Sequence, residues 1–224
     1  MPHLDTVFSQ LLKLVPRHEF DQLAKEHHSG GRLRTMTRWS QFVGMACGHI
    51  ARRHSLRDVV TTLGAQEKRF YHLGVKPVTR TSFARVNAAQ PYTLYEALFA
   101  KLYARAQAHV PQTAGRKFRF KNKLYSLDAS LIDLSLQLFP WSHYARGKGA
   151  VKLHMGLDHA GLMPAFAVIT ESRVMETTVA PKLLPRRGSI VVFDRGYKSF
   201  SWLKLLVETG VYFVTRLRAE TRYE

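Results

Sequence analysis

The first half of the chain places apolar residues at the spacing of amphipathic helices. One run extends from Leu4 to Val15 and stops at Pro16, and a second short run includes Phe20 and Leu23. Residues three and four positions apart share one face of a helix, so both runs predict helices. The same periodicity predicts further helices at 39–50, 56–64, 81–87 and from 94 to just before Pro111. Ser55 and Asp58 have capping-box spacing and should begin the helix at 56–64, which Gly64 should end.

The second half of the chain has the shorter periodicity of strands. Strands are predicted at 124–132, 133–139, 151–157, 162–170, 189–193 and 211–217, with a hairpin turn at 158–161. Helices are predicted at 175–184 and 200–208, the latter closed by Gly210. An order of hairpin strands, helix, strand, helix and strand predicts an α/β domain with a mixed sheet. We expect three regions: a helical N-terminal domain at 1–75, a helical connection at 76–115 and the α/β core at 116–224.

The net charge of the chain indicates the kind of partner that it binds. The chain has 34 Lys and Arg against 16 Asp and Glu, a formal net charge of +18. A surface this basic favours a polyanionic partner, and nucleic acid phosphates supply one. Arginines recur on the polar faces of the N-terminal helices, and Arg52 and Arg53 are the candidates we select for DNA contact. Solvated helix faces that bind nothing remain the alternative, because no clean helix-turn-helix pattern is present.

Other composition features exclude several classes of protein. The single cysteine, Cys47, cannot form an internal disulfide or a thiolate zinc cluster, and its apolar surroundings predict a buried structural thiol. No apolar run approaches the roughly 18 residues that span a bilayer. No signal peptide is visible at the N-terminus. We therefore expect a cytoplasmic protein that is associated with DNA.

Two aspartates are candidates for chemistry. Asp128 interrupts an otherwise apolar strand, where an unpaired charge is costly, and Asp194 directly follows the buried run from Ile190 to Phe193. A divalent cation would relieve the repulsion between two carboxylates that meet at one end of a sheet. The alternatives are an ion pair for Asp128 and a helix cap for Asp194. Asp133 and Asp158 are weaker candidates, since Asp158 falls in a predicted turn.

Four segments then resemble transposases of the IS4 family. These segments are Tyr125–Ser130, Lys148–Asp158, Val191–Tyr197 and Phe213–Arg218. The helical first half is similar to the N-terminal domain of one branch of that family. The resemblance implies an RNase H-like core with an Asp-Asp-Glu triad, in which Asp128 and Asp194 are the first two acids. The third acid belongs to a tyrosine-arginine-glutamate-lysine helix that is absent from this sequence, so we expect an incomplete core.

The resemblance also implies a mechanism and partners. The family uses Mg²⁺, with Mn²⁺ as a substitute, and Asp128 would bridge two ions while Asp194 holds one. Double-stranded DNA at transposon ends and at a target would be the partner, with a homodimer on the paired ends. Candidate phosphate contacts, which could equally be solvated charges, are Lys148, Lys152, His154, Arg195 and Lys198. Competing hypotheses are a non-catalytic DNA-binding remnant of a transposase and a related RNase H-like nuclease.

Overall fold

The computed structural model describes residues 6–109, 120–134, 142–145 and 148–217, without the side chains of 69, 143–145 and 148. The chain divides into two compact units, Met1–Leu102 and Tyr103–Glu224. The first unit is helical, as predicted. Its helices are α1 (Val7–Lys13), α2 (Arg17–Glu26), α3 (Arg38–Ile50), α4 (Leu56–Gly64), α5 (Phe70–Leu73), α6 (Arg80–Ala89) and most of α7 (Thr93–His109).

Hydroxyl side chains define where four of these helices begin. Thr6, Thr37, Ser55 and Thr79 each precede a helix and accept a hydrogen bond from the backbone N–H three residues later. That bond satisfies one of the donors that a helix start leaves unpaired. The predicted Ser55 cap is confirmed, and Ser55 also donates to the Asp58 carboxylate. The predicted role of Gly64 is wrong, because this glycine is helical and Ala65 forms the C-cap.

An aromatic cluster and two close helix contacts form the core of the first unit. The rings of Phe20, Trp39 and Phe42 lie 5.0 to 5.4 Å apart. A Cβ on Gly44 would stand 2.7 Å from Phe83, and one on Gly48 would stand 2.9 Å from Val59. The two glycines, one turn apart on α3, therefore let α6 and α4 approach. The segment predicted as a connection contributes to this core through Phe83, Val86, Leu94 and Leu98.

The second unit is built on a mixed sheet. Among the described residues its strands are β1 (Leu124–Leu134), β2 (His143–Ala145), β3 (Lys148–Asp158), β4 (Met163–Glu171), β5 (Ile190–Phe193) and β6 (Tyr212–Thr215). The order across the sheet is β4-β3-β1-β5-β6, with β2 paired to the start of β3. β1, β3 and β4 are antiparallel neighbours, whereas β5 and β6 continue from β1 in parallel. This arrangement confirms the expected RNase H-like mixed sheet.

Two predicted elements differ from the structure. β1 runs through Asp133 and Leu134 without a break, so no separate strand begins at Asp133 as was predicted. Residues 135–139 of that predicted strand lie outside the described residues. The helix predicted at 175–184 is a single turn, α8 (Glu176–Val179), followed by a 3₁₀ turn that contains Pro181. Proline lacks an N–H and disfavours the α conformation of the preceding residue, so it interrupts the helix.

Helices cover the apolar face of the sheet. Tyr125 and Leu127 of β1 pack with Val191 and Phe193 of β5 in one buried cluster. α9 (Phe200–Glu208) contributes Trp202 and Leu206 to that cluster, and Gly210 closes α9 at φ 71°, as expected. No helix in the described part of the chain is both long enough and apolar enough to cross a membrane.

Candidate active site

Asp128 lies within β1 and Asp194 directly follows β5, at matching positions of these two neighbouring parallel strands. Leu127 of β1 pairs with Phe193 of β5, and each predicted aspartate is the next residue along its strand. Adjacent strands lie about 4.8 Å apart, so this register brings the two backbones side by side. Leu127 and Phe193 are buried, whereas Asp128 and Asp194 are exposed. In each strand a buried apolar residue packs in the core, and the next residue presents a carboxylate to solvent.

Each aspartate accepts one backbone hydrogen bond, through its Oδ1 atom. Oδ1 of Asp128 accepts the N–H of Ala129 at 2.8 Å, and Oδ1 of Asp194 accepts the N–H of Gly196 at 3.0 Å. Asp194 thereby caps the 3₁₀ turn Arg195–Tyr197, which is the capping role considered as an alternative. Within the described residues neither Oδ2 has a hydrogen-bond donor. Both carboxylates thus retain an oxygen that can bind a ligand.

A third carboxylate, Glu176, lies beside Asp194. The position of a Cβ on Gly196 would be 3.1 Å from Oδ1 of Asp194 and 3.5 Å from Cδ of Glu176, so both carboxylates flank this glycine. Lys152 of β3 donates to Glu176 at 2.9 Å and to the carbonyl of Val174 at 2.9 Å. Burial alone would raise the pKa of Glu176, but the bond and charge of Lys152 lower it, so Glu176 is ionised.

A buried pair, Tyr197 and His154, lies next to these carboxylates. The Tyr197 hydroxyl and Nδ1 of His154 are 3.1 Å apart, and Nε2 of His154 is 3.1 Å from the Thr170 hydroxyl. Burial raises the pKa of Tyr197, and the charges of Glu176, Asp128 and Asp194 raise it further. All three carboxylates are therefore close enough to Tyr197 to interact electrostatically with its hydroxyl. Burial and the nearby Lys152 charge lower the pKa of His154.

The donor set at Asp128 and Asp194 fits a hard divalent cation. Mg²⁺ binds through one or two carboxylates and completes its octahedron with water and phosphate oxygens. Two exposed carboxylates with free oxygens meet that requirement, whereas soft metals would need Cys or several His ligands. No group of three His, Cys, Asp or Glu side chains in the described ranges is arranged to hold a metal by itself.

Family comparisons agree with this geometry. Residues 119–224 match the family model described as a transposase DDE domain. The second unit carries a transposase DDE domain. Residues 3–76 match a domain of unknown function, DUF4372, and the DDE domain match confirms the resemblance to DDE transposases. The assignment to the IS4 branch stays a prediction.

Two known proteins are similar to the chain. "Putative transposase y4zB" from Sinorhizobium fredii (strain NBRC 101917 / NGR234) is 25% identical over 133 residues, which cover 59% of this chain and 35% of that protein. The piggyBac transposase, solved by cryo-EM as a synaptic complex with hairpin DNA, has a TM-score of 0.45 and 12% identity, with 98% of this chain and 50% of that chain covered. The chain therefore spans about a third of the length of the curated relative.

The basic residues predicted around the DDE domain site differ in how accessible they are. Arg195 is exposed beside Asp194, and Lys198 is half-buried with its ammonium 5.0 Å from the Phe200 ring. Lys152 is committed to Glu176, and its side chain is only 13% exposed. His154 is fully buried, and both of its ring nitrogens have partners inside the domain, so its ring offers no donor to DNA in this structure. Lys148 begins β3, but its side chain lies outside the described residues.

Sequence reasoning passed over Glu176 and placed Asp158 in the wrong element. Asp158 ends β3 rather than lying in the turn, and it is 1% exposed. Oδ2 of Asp158 accepts from Tyr103 at 3.1 Å, Gln107 at 3.0 Å and Lys123 at 3.4 Å. Burial raises the pKa of Asp158, but the Ala160 N–H and these partners lower it overall. This saturated carboxylate stabilises the DDE domain and leaves no oxygen for a ligand.

Proposed function

We propose that this chain is the N-terminal portion of a cut-and-paste DNA transposase of the IS4 type. In this proposal the protein acts in the cytoplasm on transposon ends and target DNA, as a homodimer on paired ends. The DDE domain supplies Asp128 and Asp194 as catalytic and metal-binding residues. The observation that carries the proposal is their position, one residue beyond the Leu127–Phe193 pair of two adjacent parallel strands.

In this proposal the two aspartates and the residues around them have different roles. When bound, a divalent cation of the Mg²⁺ type would activate a water or a 3′-hydroxyl and stabilise the oxygen that leaves phosphorus. Asp128 and Asp194 would hold it through their exposed oxygens. Arg195 would attract the DNA backbone next to Asp194, since its guanidinium matches phosphate geometry. His154 would hold the phenol of Tyr197 in place, and Lys152 would hold Glu176.

The first unit would provide a DNA contact at Arg52 and Arg53. Both side chains are exposed in the turn that ends α3, where the N–H of Arg53 bonds to the carbonyl of Gly48 at 2.8 Å. Arg52 has φ 52° in that turn, in the left-handed region that usually selects glycine. An arginine in this conformation costs about 1–2 kcal/mol of strain. A DNA contact by the Arg52 side chain would explain why the strained residue is present.

A non-catalytic DNA-binding remnant of a transposase is the second candidate function. The observation that favours it is the net charge of +18, which supports DNA binding without requiring any chemistry. A remnant would keep the basic surface and bind DNA without cleaving it. The two candidates therefore agree about DNA binding and differ about chemistry.

DNA binding can be tested by fluorescence anisotropy with a labelled duplex at increasing salt. We expect the affinity of the full chain to fall roughly a thousandfold between about 50 and about 200 mM salt, because phosphate contacts release counterions. Arg52→Gly should reduce the salt slope by about one unit while raising the free energy of unfolding by about 1 kcal/mol.

The matched control is Lys101→Gln, which removes one positive charge from an exposed position of α7. Its affinity for the duplex should stay close to that of the parent chain. Affinity that does not depend on salt would overturn the proposed DNA-binding function. Equal effects of Arg52→Gly and Lys101→Gln would mean that net charge, and not a contact at Arg52, governs binding.

A further inference from the structure

A basic cavity lies in the second unit, at the end of the sheet where β1 and β5 begin. Its volume is about 400 Å³, and it is lined by residues 121–123 before β1 and residues 186–189 before β5. The cationic side chains in this lining are Lys121, Lys123, Arg186 and Arg187. None of the described residues that line the cavity is acidic, so its electrostatics favour an anionic ligand.

Hydrogen bonds hold the walls of this cavity together. The side-chain amide of Asn122 donates to the carbonyl of Gly188 at 2.6 Å. The N–H of Ile190 bonds to the carbonyl of Lys123 at 2.7 Å. The N–H of Gly188 bonds to the carbonyl of Gly210 at 2.8 Å. The segments that precede β1, β5 and β6 are thereby joined, so the cavity is built on the ends of three neighbouring strands.

Two of the four cations are positioned by their neighbours. The ammonium of Lys123 lies 3.4 Å from Oδ2 of the buried Asp158, yet the Lys123 side chain remains 40% exposed. A Cβ on Gly210 would stand 3.0 Å from Cγ and 3.1 Å from Nε of Arg187, so the stem of this exposed arginine lies against the glycine. Both side chains are therefore held at the cavity while part of each remains accessible to solvent.

The cations of this cavity are accessible and lack sufficient counter-charge. Lys121 and Arg186 are exposed, as is Arg187. Among the described residues no carboxylate forms an ion pair with any of these three side chains. Like charges that converge in this way repel one another, and a bound anion relieves the repulsion. The exposed guanidinium and ammonium groups can donate to such an anion from the surface.

We propose that this cavity binds backbone phosphates of duplex DNA. Arg186 and Arg187 would donate to phosphate oxygens, whose geometry their guanidinium groups match, and Lys121 and Lys123 would add positive charge. Duplex DNA carries a phosphate charge about every 1.7 Å of its axis, so it can engage several of these cations at once, unlike a single small anion. The proposal rests on the DNA-binding function proposed above and adds a contact on the DDE domain, separate from the arginine turn of the first unit.

The cavity and the candidate catalytic aspartates lie at opposite ends of the same strands. Ser189 lines the cavity, and Asp194 follows it by five residues along β5. At about 3.3 Å per residue this separation is roughly 17 Å, which is the length of about five base pairs of duplex DNA. One duplex is therefore long enough to contact the cavity and the aspartates together.

The experiment compares cations inside and outside the cavity. Lys121 and Arg187 line it, whereas the exposed Lys182 lies five positions before Arg187 and does not. The full chain is titrated with a labelled DNA duplex at several salt concentrations, and binding is followed by fluorescence anisotropy. Lys121→Gln and Arg187→Gln should each weaken binding about fivefold and reduce the salt slope by about one unit, because each removes a phosphate contact. Lys182→Gln should leave both quantities close to those of the parent chain.

Thermal unfolding supplies the control for folding and for the source of the phosphate. Arg187→Gln should unfold in chloride at nearly the temperature of the parent chain. If it does not fold, because its stem no longer packs on Gly210, the exposed Lys121 and Lys182 variants decide the question. The same melts are repeated with inorganic phosphate at equal ionic strength. Stabilisation by phosphate that depends on Arg187, without any Arg187 effect on the duplex, would assign the cavity to free phosphate and contradict the DNA contact.

Three further outcomes would overturn the site. Duplex binding that is unchanged in both Lys121→Gln and Arg187→Gln would do so while leaving DNA binding elsewhere on the chain intact. An equal loss in Lys182→Gln and in the two cavity variants would mean that net charge governs binding. Tighter binding of an RNA duplex of the same sequence, with the same dependence on Arg187, would assign the cavity to RNA. Failure of the parent chain to bind any DNA duplex would instead overturn the proposed DNA-binding function.

Discussion

Tyr197 connects the residues of the candidate active site. The residue is 1% exposed, and its hydroxyl bonds to His154. Burial raises the pKa of Tyr197, and the charges of Glu176, Asp128 and Asp194 raise it further. A phenol with a raised pKa remains protonated at neutral pH, so it can donate a hydrogen bond but cannot act as an anionic nucleophile. We therefore assign Tyr197 a positioning role, through which the buried His154 fixes the turn that carries Asp194.

Metal binding should depend on Asp128 and Asp194 and not on the neighbouring Asp133. Asp133 lies on the same strand and is also exposed, so Asp133→Asn is a matched control. Asp128→Asn and Asp194→Asn should each weaken Mn²⁺ binding at least about tenfold, because each removes a charged oxygen ligand from a hard cation. Isothermal titration with Mn²⁺ measures this directly. Equal affinities for the Asp128 and Asp133 variants would contradict the proposed metal site.

The two catalytic candidates were predictable from the sequence, but their surroundings were not. Asp128 and Asp194 stand out because each interrupts or ends an apolar strand. Glu176 does not, since its neighbour Asp194 is 18 positions away along the chain and only the fold brings them together. Lys152 and His154 looked like phosphate contacts because their charge is visible in a sequence, whereas their pairing and burial depend on α8 and the turn after β5.

At the scale of elements, α3 is the centre of the first unit. Gly44 and Gly48 lie one turn apart on this helix, and each faces an apolar side chain of another helix. The substitution Gly44→Ala would place a Cβ 2.7 Å from the fully buried ring of Phe83, so the ring or a helix would have to shift. We expect it to lower the free energy of unfolding by about 1–3 kcal/mol, as overpacked cores do.

Gly64→Ala is the control for this prediction. Gly64 is the last residue of α4, its φ is not positive, and nothing lies within 4 Å of its Cβ position. Alanine should therefore stabilise the chain by about 0.5–1 kcal/mol through its higher helix propensity. Urea unfolding followed by circular dichroism compares the two variants. If Gly44→Ala proved as stable as Gly64→Ala, the close approach of α3 and α6 would be contradicted.

An element could be predicted from the sequence when the residues that determine it lie within the element itself. Periodicity and local caps were sufficient for the N-terminal helices, because Ser55 and the apolar stripes act within one helix. The length of β1 could not be read locally. Its last residues Asp133 and Leu134 are fixed by pairing with Ala150 and Gly149 of β3, a partner that the strand's own sequence does not specify.

At the scale of the whole molecule, the net charge of +18 predicted an anionic partner but not where it binds. The first unit places the exposed cations Arg52 and Arg53 in the turn that ends α3. The second unit has a separate basic cavity of about 400 Å³ before β1 and β5, lined by Lys121, Lys123, Arg186 and Arg187. Composition fixes the total charge, whereas the fold determines which cations share a surface.

The remaining prediction concerns catalysis. We expect the 224-residue chain to bind DNA but neither to nick nor to join transposon ends in Mg²⁺ or Mn²⁺. Asp128 and Asp194 provide two carboxylates, and a two-metal displacement needs a further ligand opposite them. Glu176 lies close enough to be considered, but Lys152 holds its Oε1 at 2.9 Å. The measurement is conversion of a supercoiled plasmid carrying the transposon ends.

A chain that adds the tyrosine-arginine-glutamate-lysine helix should restore cleavage, and Asp128→Ala or Asp194→Ala should abolish it again. Asp133→Asn in the longer chain is the control and should remain active, because its side chain has no place among the ligands. Robust cleavage by the 224-residue chain that is lost in Asp128→Ala would contradict the prediction. Cleavage by the Glu176→Gln variant of this chain would then show whether Glu176 is the third metal ligand. Loss of that cleavage would mean that Glu176 leaves Lys152 when metal and DNA bind, and so completes the site within this chain.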